Sequence, residues 1–263
     1  MIPSDFRWPD GLAPNTVCFT VDVEWASPAV LDDLRALFDD HGIVATFFVT
    51  HAGVVVPGHE RGLHPNFRRS SDTYRRLPDA ATRSDEEVQD HVVTTTLAFA
   101  PEAKGVRSHS LHYDSTLLPL YRRLGIEYDC SYQMPFVDGL RPFWKHHGII
   151  EIPTYYADHF DIMNGVTDFD FARLGLERPG LKVLDFHPNI VYVNAPTDPF
   201  YVTTKGFFHD PARLLAARHP GRGIRTFLLD LLSHVASRRI PTAPAGAINA
   251  LWRAATSQPG RSV

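Results

Sequence analysis

A chain of 263 residues, 44% hydrophobic and 21% charged, can bury one substantial core, which excludes intrinsic disorder. Its net charge of -4 and lack of long Lys/Arg blocks leave no footprint for nucleic acid or an anionic membrane, so a small or neutral substrate fits better. With Cys18 and Cys130 as the only cysteines, neither a disulfide framework nor a thiolate metal cluster is expected, and any metal must take N and O ligands.

The opening segment, "MIPSDFRWPDGLAPN", has neither the basic start nor the apolar run of a secretory leader, and no apolar stretch approaches the roughly 20 residues of a membrane span. The expected location is cytoplasmic. The first predicted strand, "VCFTV", runs into Asp22 and Glu24. Residues two apart project to one side of an extended chain, so continued strand would put both carboxylates in one space. "SPAVLDDLRALFDDHGI" predicts a helix, with Val30, Leu31, Leu34, Leu37 and Phe38 at helical spacing, Pro28 in the first turn and Gly42 at the stop. The strand "IVATFFVT" then completes a right-handed βαβ unit, which favours a parallel sheet.

Next come "RGLHPNF", a short strand entering a proline-containing loop, and a helix over Asp85 to Phe99 with Ser84 as cap and Glu87 at its third position. "KGVRSHSL" reads as strand into loop, and "DSTLLPLYRRLGI" as a helix with its proline near the first turn. "EYDCSY", "IIEIPTYYAD" and "LKVLDFHPNIVYVN" read as three further strand ends, apolar first and polar after. An amphipathic helix over Arg222 to Ser237, then a last strand or turn and a terminal helix in "IPTAPAGAINALWRA", complete a single domain spanning 1–263.

Strands alternating with helices suit a (β/α) barrel or an open doubly wound sheet, both of which place their chemistry at the carboxyl ends of strands. Those ends carry Asp22 and Glu24, His51, His64, Arg107 with His109 and His112, Asp129, Glu151, and Asp185 with His187. His41, His91, His159, His209, His219 and His234 fall in helices or loops and read as structural. Two or three imidazoles and a carboxylate are the usual ligands of a catalytic zinc or similar ion, and a second, unbound carboxylate can take the proton of water. Asp22 and Glu24 offer one acid for each task. The aromatic stretches "MPFVDGLRPFW" and "IPTYYADHFDIMN" read either as ordinary core and loop aromatics or as walls on which a ring could stack.

"CFTVDVEWASPAVLDDLRALFDDHGIVATFFVT" resembles the opening of the polysaccharide deacetylase superfamily (NodB-homology, carbohydrate esterase family 4-like). "ERGLHPNF" resembles its third strand, "GVRSHSL" with "LYRRLGIEYDCSY" its arginine motif and the segment after it, and "LDFHP" its last motif. The resemblance spans about residues 16 to 190 and points to a divergent branch linked to surface-polysaccharide or sugar-modification pathways. It implies a distorted (β/α) barrel of about seven strands that binds one divalent ion, zinc first among the candidates. The implied activity is N-deacetylation of an amino sugar in a glycan precursor or small glycosylated metabolite. Residue by residue, it implies Asp22 as general base, Glu24 and His64 as metal ligands, Arg107 as the group orienting the base, and His187 as general acid, with Asp185 or Asp129 holding the His187 ring. The chain departs from the pattern at Arg68, where the family has a second histidine; His109 is the expected substitute ligand and His112 the reserve. Two other readings stand beside this one. A sugar-binding protein that kept the fold without catalysis is suggested by Arg68, whereas a divalent-metal phosphoesterase would need more acids than one pair.

Overall fold

The computed structural model describes residues 7–256. The first residues of the segment inspected for a leader, and both ends of the predicted 1–263 domain, lie outside the described residues. Among the described residues nine strands form one sheet: β1 (Val17–Asp22), β2 (Thr46–Val49), β3 (Glu60–Leu63), β4 (Gly105–Val106), β5 (Tyr128–Asp129), β6 (Phe143–Trp144), β7 (Ile150–Glu151), β8 (Tyr156–Ala157) and β9 (Lys182–Phe186). Their order is β6-β7-β5-β4-β3-β2-β1-β9-β8, parallel throughout except for β6 against β7.

The chain itself shows that this sheet curls. β7 lies near one edge and β8 is the other edge, yet only residues 152–155 separate them, and four residues reach no more than roughly 14 Å. Thr154 N–H donates to Tyr132 O and Tyr155 N–H to Val183 O, both at 2.8 Å, so the link is stitched to both sides. The result is a half-barrel, consistent with the distorted (β/α) barrel that was expected. It has nine strands rather than about seven because "IIEIPTYYAD", read as one strand end, supplies two strands on opposite sides, and Phe143–Trp144 adds a short antiparallel one.

Ten α-helices accompany the sheet among the described residues: α1 (Pro28–Asp40), α2 (Asp72–Arg75), α3 (Asp85–Leu97), α4 (Leu117–Arg123), α5 (Asp158–Met163), α6 (Pro188–Tyr192), α7 (Asp198–Thr204), α8 (Pro211–Ala216), α9 (Ile224–Arg238) and α10 (Ala245–Ala255). Ser84 and Glu87 form the predicted capping box on α3. Every residue of β1 is buried, as expected for a parallel strand covered on both faces. Val17, Phe19 and Val21 face outward into the cluster that includes Leu34 and Phe38 of α1.

Alternate residues face the concave side and define layers about 6.6 Å apart along each strand. At the amino ends, Asn249 and Arg253 of α10 bond Glu127, the Ala245 N–H donates to Thr46 Oγ1, and the Gly246 N–H to Glu60 Oε2, so this helix closes the base. Ile248 and Trp252 join Cys18, Phe48, Tyr128, Ile150 and Val183 in an apolar layer. One layer higher stand Thr20, Arg107 and Asp185, and above them Asp22, His64 and His187 at the mouth.

Gly105 makes room for this packing. A Cβ there would fall 1.9 Å from Tyr128 Cζ, and the Tyr128 hydroxyl is tied to Glu60 at 2.8 Å, so the ring has little freedom to retreat. Gly105→Ala is therefore expected to cost about 1–3 kcal/mol of stability in urea or thermal unfolding. Gly206→Ala, where a Cβ meets nothing within 4 Å, should stay within about 0.5 kcal/mol.

Candidate active site

β1 delivers Asp22 directly, but Glu24 reaches the same place by a different route from continued strand. Val23 N–H still bonds Phe48 O at 3.0 Å, after which Glu24 takes a left-handed conformation, φ 50°, with its carbonyl accepting from the Thr50 hydroxyl. That turn swings the Glu24 carboxylate over the end of β3. His64, the next residue after β3, is 1% exposed and lies between the two acids. Its Nδ1 is 3.6 Å from Asp22 Oδ1 and its Nε2 is 3.5 Å from Glu24 Oε1. His109 comes up from the loop after β4, held by its N–H to Pro65 O and followed by two left-handed residues, Ser110 and Leu111.

Three atoms form a triangle: Glu24 Oε1 to His109 Nδ1 is 3.1 Å, His109 Nδ1 to His64 Nε2 is 3.3 Å, and His64 Nε2 to Glu24 Oε1 is 3.5 Å. These sides match the roughly 3.3–3.4 Å edge of a tetrahedron whose centre is about 2.0–2.1 Å from each corner, the zinc–ligand distance. The donor set and the spacing thus fit a divalent ion with a fourth position left over. His112 is not part of this group; it is exposed and its ring packs on Phe67, 4.9 Å between centroids. Arg68 lines the cavity and is tied to Ser110 Oγ at 2.8 Å.

Arg107 is fully buried, and its five polar contacts order the layer beneath. Nη1 donates to Asp22 at 3.1 Å, Asp185 at 2.5 Å and Thr20 at 2.8 Å, Nη2 to Thr154 at 3.1 Å, and Nε to Cys130 O at 3.2 Å. Burial would raise Asp22, but His64, Arg107 and His187 outweigh it and hold that carboxyl below its ordinary range. Burial likewise opposes the ionised form of Glu24, yet hydrogen bonds from His109 and His64 keep it well below the usual value. Asp185 goes the other way: burial raises it, Arg107 lowers it, and Asp22 raises it further.

The carboxylate on the His187 ring is Asp158, not Asp185 or Asp129. Asp158 follows β8, which pairs with β9, and its Oδ1 lies 2.6 Å from His187 Nδ1 while its Oδ2 accepts the His187 backbone N–H at 2.9 Å. Asp185 bonds Arg107 and Thr20 instead, although it stays within 4.8 Å of His187, and Asp129 is paired with Lys145 at 2.7 Å. Burial lowers the His187 pKa, but Asp158 more than compensates and the ring is raised to about 10. A divalent cation nearby would draw that value down. Asp158 follows "YYA" directly and would have been a strand-end candidate had "IIEIPTYYAD" been read as two strands.

Asp22, Glu24, His109, Asp185 and His187 line a cavity of about 560 Å³. His159, read from the sequence as structural, lines it too. Of the expected aromatic walls only "IPTYYADHFDIMN" contributes, through Phe160; Trp25, Tyr201 and Phe208 supply the remaining aromatic lining, and "MPFVDGLRPFW" none. His51 belongs to a separate small cleft, and Glu151 is taken by Lys145.

The family model described as WbmS-like polysaccharide deacetylase matches residues 19–205. The chain belongs to this family. A WbmS-like chain of this kind should share its fold with solved polysaccharide deacetylases, and two agree. A candidate polysaccharide deacetylase involved in O-antigen biosynthesis, from Bordetella bronchiseptica, is 29% identical with a TM-score of 0.72, over 84% of this chain and 91% of that one. A candidate polysaccharide deacetylase from Mycobacterium smegmatis shares the fold at 18% identity and a TM-score of 0.59, over 98% and 96% of the two chains. No curated relative matches the chain. Among the described residues, no helix is long and apolar enough to cross a membrane.

Proposed function

We propose that the protein is a metal-dependent carbohydrate N-deacetylase, hydrolysing the acetamide of an amino sugar in a glycan precursor or small glycosylated metabolite. The observation that carries this reading is the Glu24–His64–His109 triangle, whose Glu24 and His109 line one cavity with an arginine-held Asp22 and an aspartate-held His187. The O-antigen role of the Bordetella neighbour supports a glycan precursor over an unrelated amide.

Glu24, His64 and His109 would hold the ion, with zinc the first candidate for such N and O ligands. When bound, such an ion polarises the amide carbonyl and makes water more acidic. Asp22 accepts the proton of the attacking water; its depressed pKa keeps it ionised, and Arg107 fixes the direction of its lone pairs. His187 gives a proton to the departing nitrogen, with Asp158 fixing the ring so that Nε2 faces the reacting group. The products are acetate and a free amino sugar.

His109→Ala should lower metal affinity about as much as His64→Ala, whereas His112→Ala should leave it unchanged. Competition with a chromogenic chelator reads all three. A loss confined to His112→Ala would transfer the ligand to that residue. The overall reading is tested by metal content together with acetate release from N-acetylated sugar conjugates. A protein that binds no divalent ion, or that is fully active without one, contradicts it.

A further inference from the structure

Two of the strand-end acids, Asp129 and Glu151, take no part in the chemistry above. They stand directly opposite each other on the paired strands β5 and β7. Lys145, the residue after β6, closes between them, its Nζ donating to Asp129 Oδ2 at 2.7 Å and to Glu151 Oε2 at 2.8 Å. Both carboxylates are buried, and so is nearly all of the lysine side chain. Taking three ionisable groups out of water is costly and such clusters seldom add net stability, so placement of something else is the more natural role.

What the cluster touches is the loop that carries His109. Asp129 Oδ1 accepts the Ser131 N–H at 2.9 Å, and Ser131 Oγ in turn accepts the Ser108 N–H at 2.9 Å. The N–H groups of Arg107 and His109 are taken on the β3 side, by Leu63 O at 2.9 Å and Pro65 O at 3.0 Å. The chain thus runs on from β4 in extended form, and at Ser108 a side-chain hydroxyl meets the N–H where a neighbouring strand would supply a carbonyl. Further along, Lys145 Nζ lies 4.7 Å from the centroid of the Tyr113 ring, a cation–π contact. One ammonium group therefore reaches both flanks of the turn made by His109, Ser110 and Leu111. That turn needs holding: Ser110 and Leu111 are left-handed without being glycine, a conformation that persists only when its surroundings determine it.

We infer that Lys145, Asp129 and Glu151 form a positioning device that clamps the 108–113 loop and so sets His109 against Glu24 and His64. The inference rests on the reading of that triangle as a metal centre, whose ligands must be held to within about 0.5 Å.

Lys145→Met would strand two buried carboxylates, so the test acts on the two ends of the clamp, Ser131→Ala and Tyr113→Leu, in the full-length protein. Combined, they should lower zinc affinity ten-fold or more in competition with a chromogenic chelator. Ser131→Thr, which keeps the hydroxyl, should stay within two-fold of the unsubstituted protein. In a His109→Ala background the combined pair should change affinity by less than two-fold, because the ligand through which it acts is gone. Unchanged affinity in the combined variant, or an equal loss with and without His109, overturns the inference. Hydrogen exchange of the metal-free protein reads the clamp without zinc: amides of residues 108–113 should exchange at least ten-fold faster in the combined variant while those of β1 keep their rate. Unchanged exchange in the loop also overturns it. Faster loop exchange in a protein that binds no zinc would count against the metal centre and leave the clamp standing, so the two failures are distinguishable.

Discussion

Asp22→Asn is expected to cut acetamide hydrolysis by roughly 10²–10⁴ while the metal stays bound, because it removes only the proton acceptor. Asparagine has the size of aspartate, and its carbonyl can still accept from Arg107, whose other bonds to Asp185, Thr20, Thr154 and Cys130 remain. The fold should therefore survive. Glu24→Gln should do the opposite and weaken metal binding first, since Glu24 is the carboxylate of the His64–His109 triangle. Metal content and single-turnover acetate release on the same samples separate the roles. Equal metal loss in both variants would make the two acids joint ligands. Because the folded pKa of Asp22 is depressed, its ionised form is present at neutral pH and is lost as pH falls through that lowered value. Activity should therefore fade on the acid side below the ordinary carboxylate range.

His187→Ala should also lose roughly 10²–10⁴ in amide turnover and keep its ion. An amide nitrogen leaves poorly unless protonated, whereas the oxygen of an activated acetate ester needs little help. The defect should accordingly be much smaller on such an ester, and equal losses on both would recast His187 as a binding group. Asp158→Asn provides an independent handle. His187 is raised to about 10 chiefly by Asp158 acting against burial, so its protonated form persists through neutral pH and is lost as pH rises through the folded value. Without the Asp158 charge, the alkaline limb of the pH–rate profile should move to lower pH. A profile that does not move would mean that Asp158 only holds the backbone after β9.

The parts of the fold that could be read from the chain were those with strong local patterns. β1, α1 and β2 announced themselves because buried parallel strands are apolar runs and α1 repeats its apolar residues at helical spacing. The α3 capping box was equally plain. Two-residue strands such as β4 to β8 carry no periodicity, and their pairing is decided by the curl of the whole sheet. The site was legible because its groups sit at or just past strand ends: Arg107 and His109 follow β4, and His187 follows Asp185 and Phe186 of β9. Asp158 was hidden because β8 was merged with β7, which left its strand end uncounted. The approach of Glu24 was right in outcome but not in path, because a left-handed backbone at a non-glycine residue leaves no mark in the sequence.

The helix that closes the base has a consequence for how the molecule is made. Every strand precedes α10 in the chain, so any part of the sheet that forms before α10 emerges has its lower end open and Cys18, Phe48, Tyr128 and Ile150 uncovered. A nascent chain in that state presents a greasy well to its surroundings, the kind of surface on which chaperones act and aggregates start. The sheet is thus made before its stopper, and the polar rim at the far end stands on a floor laid after it.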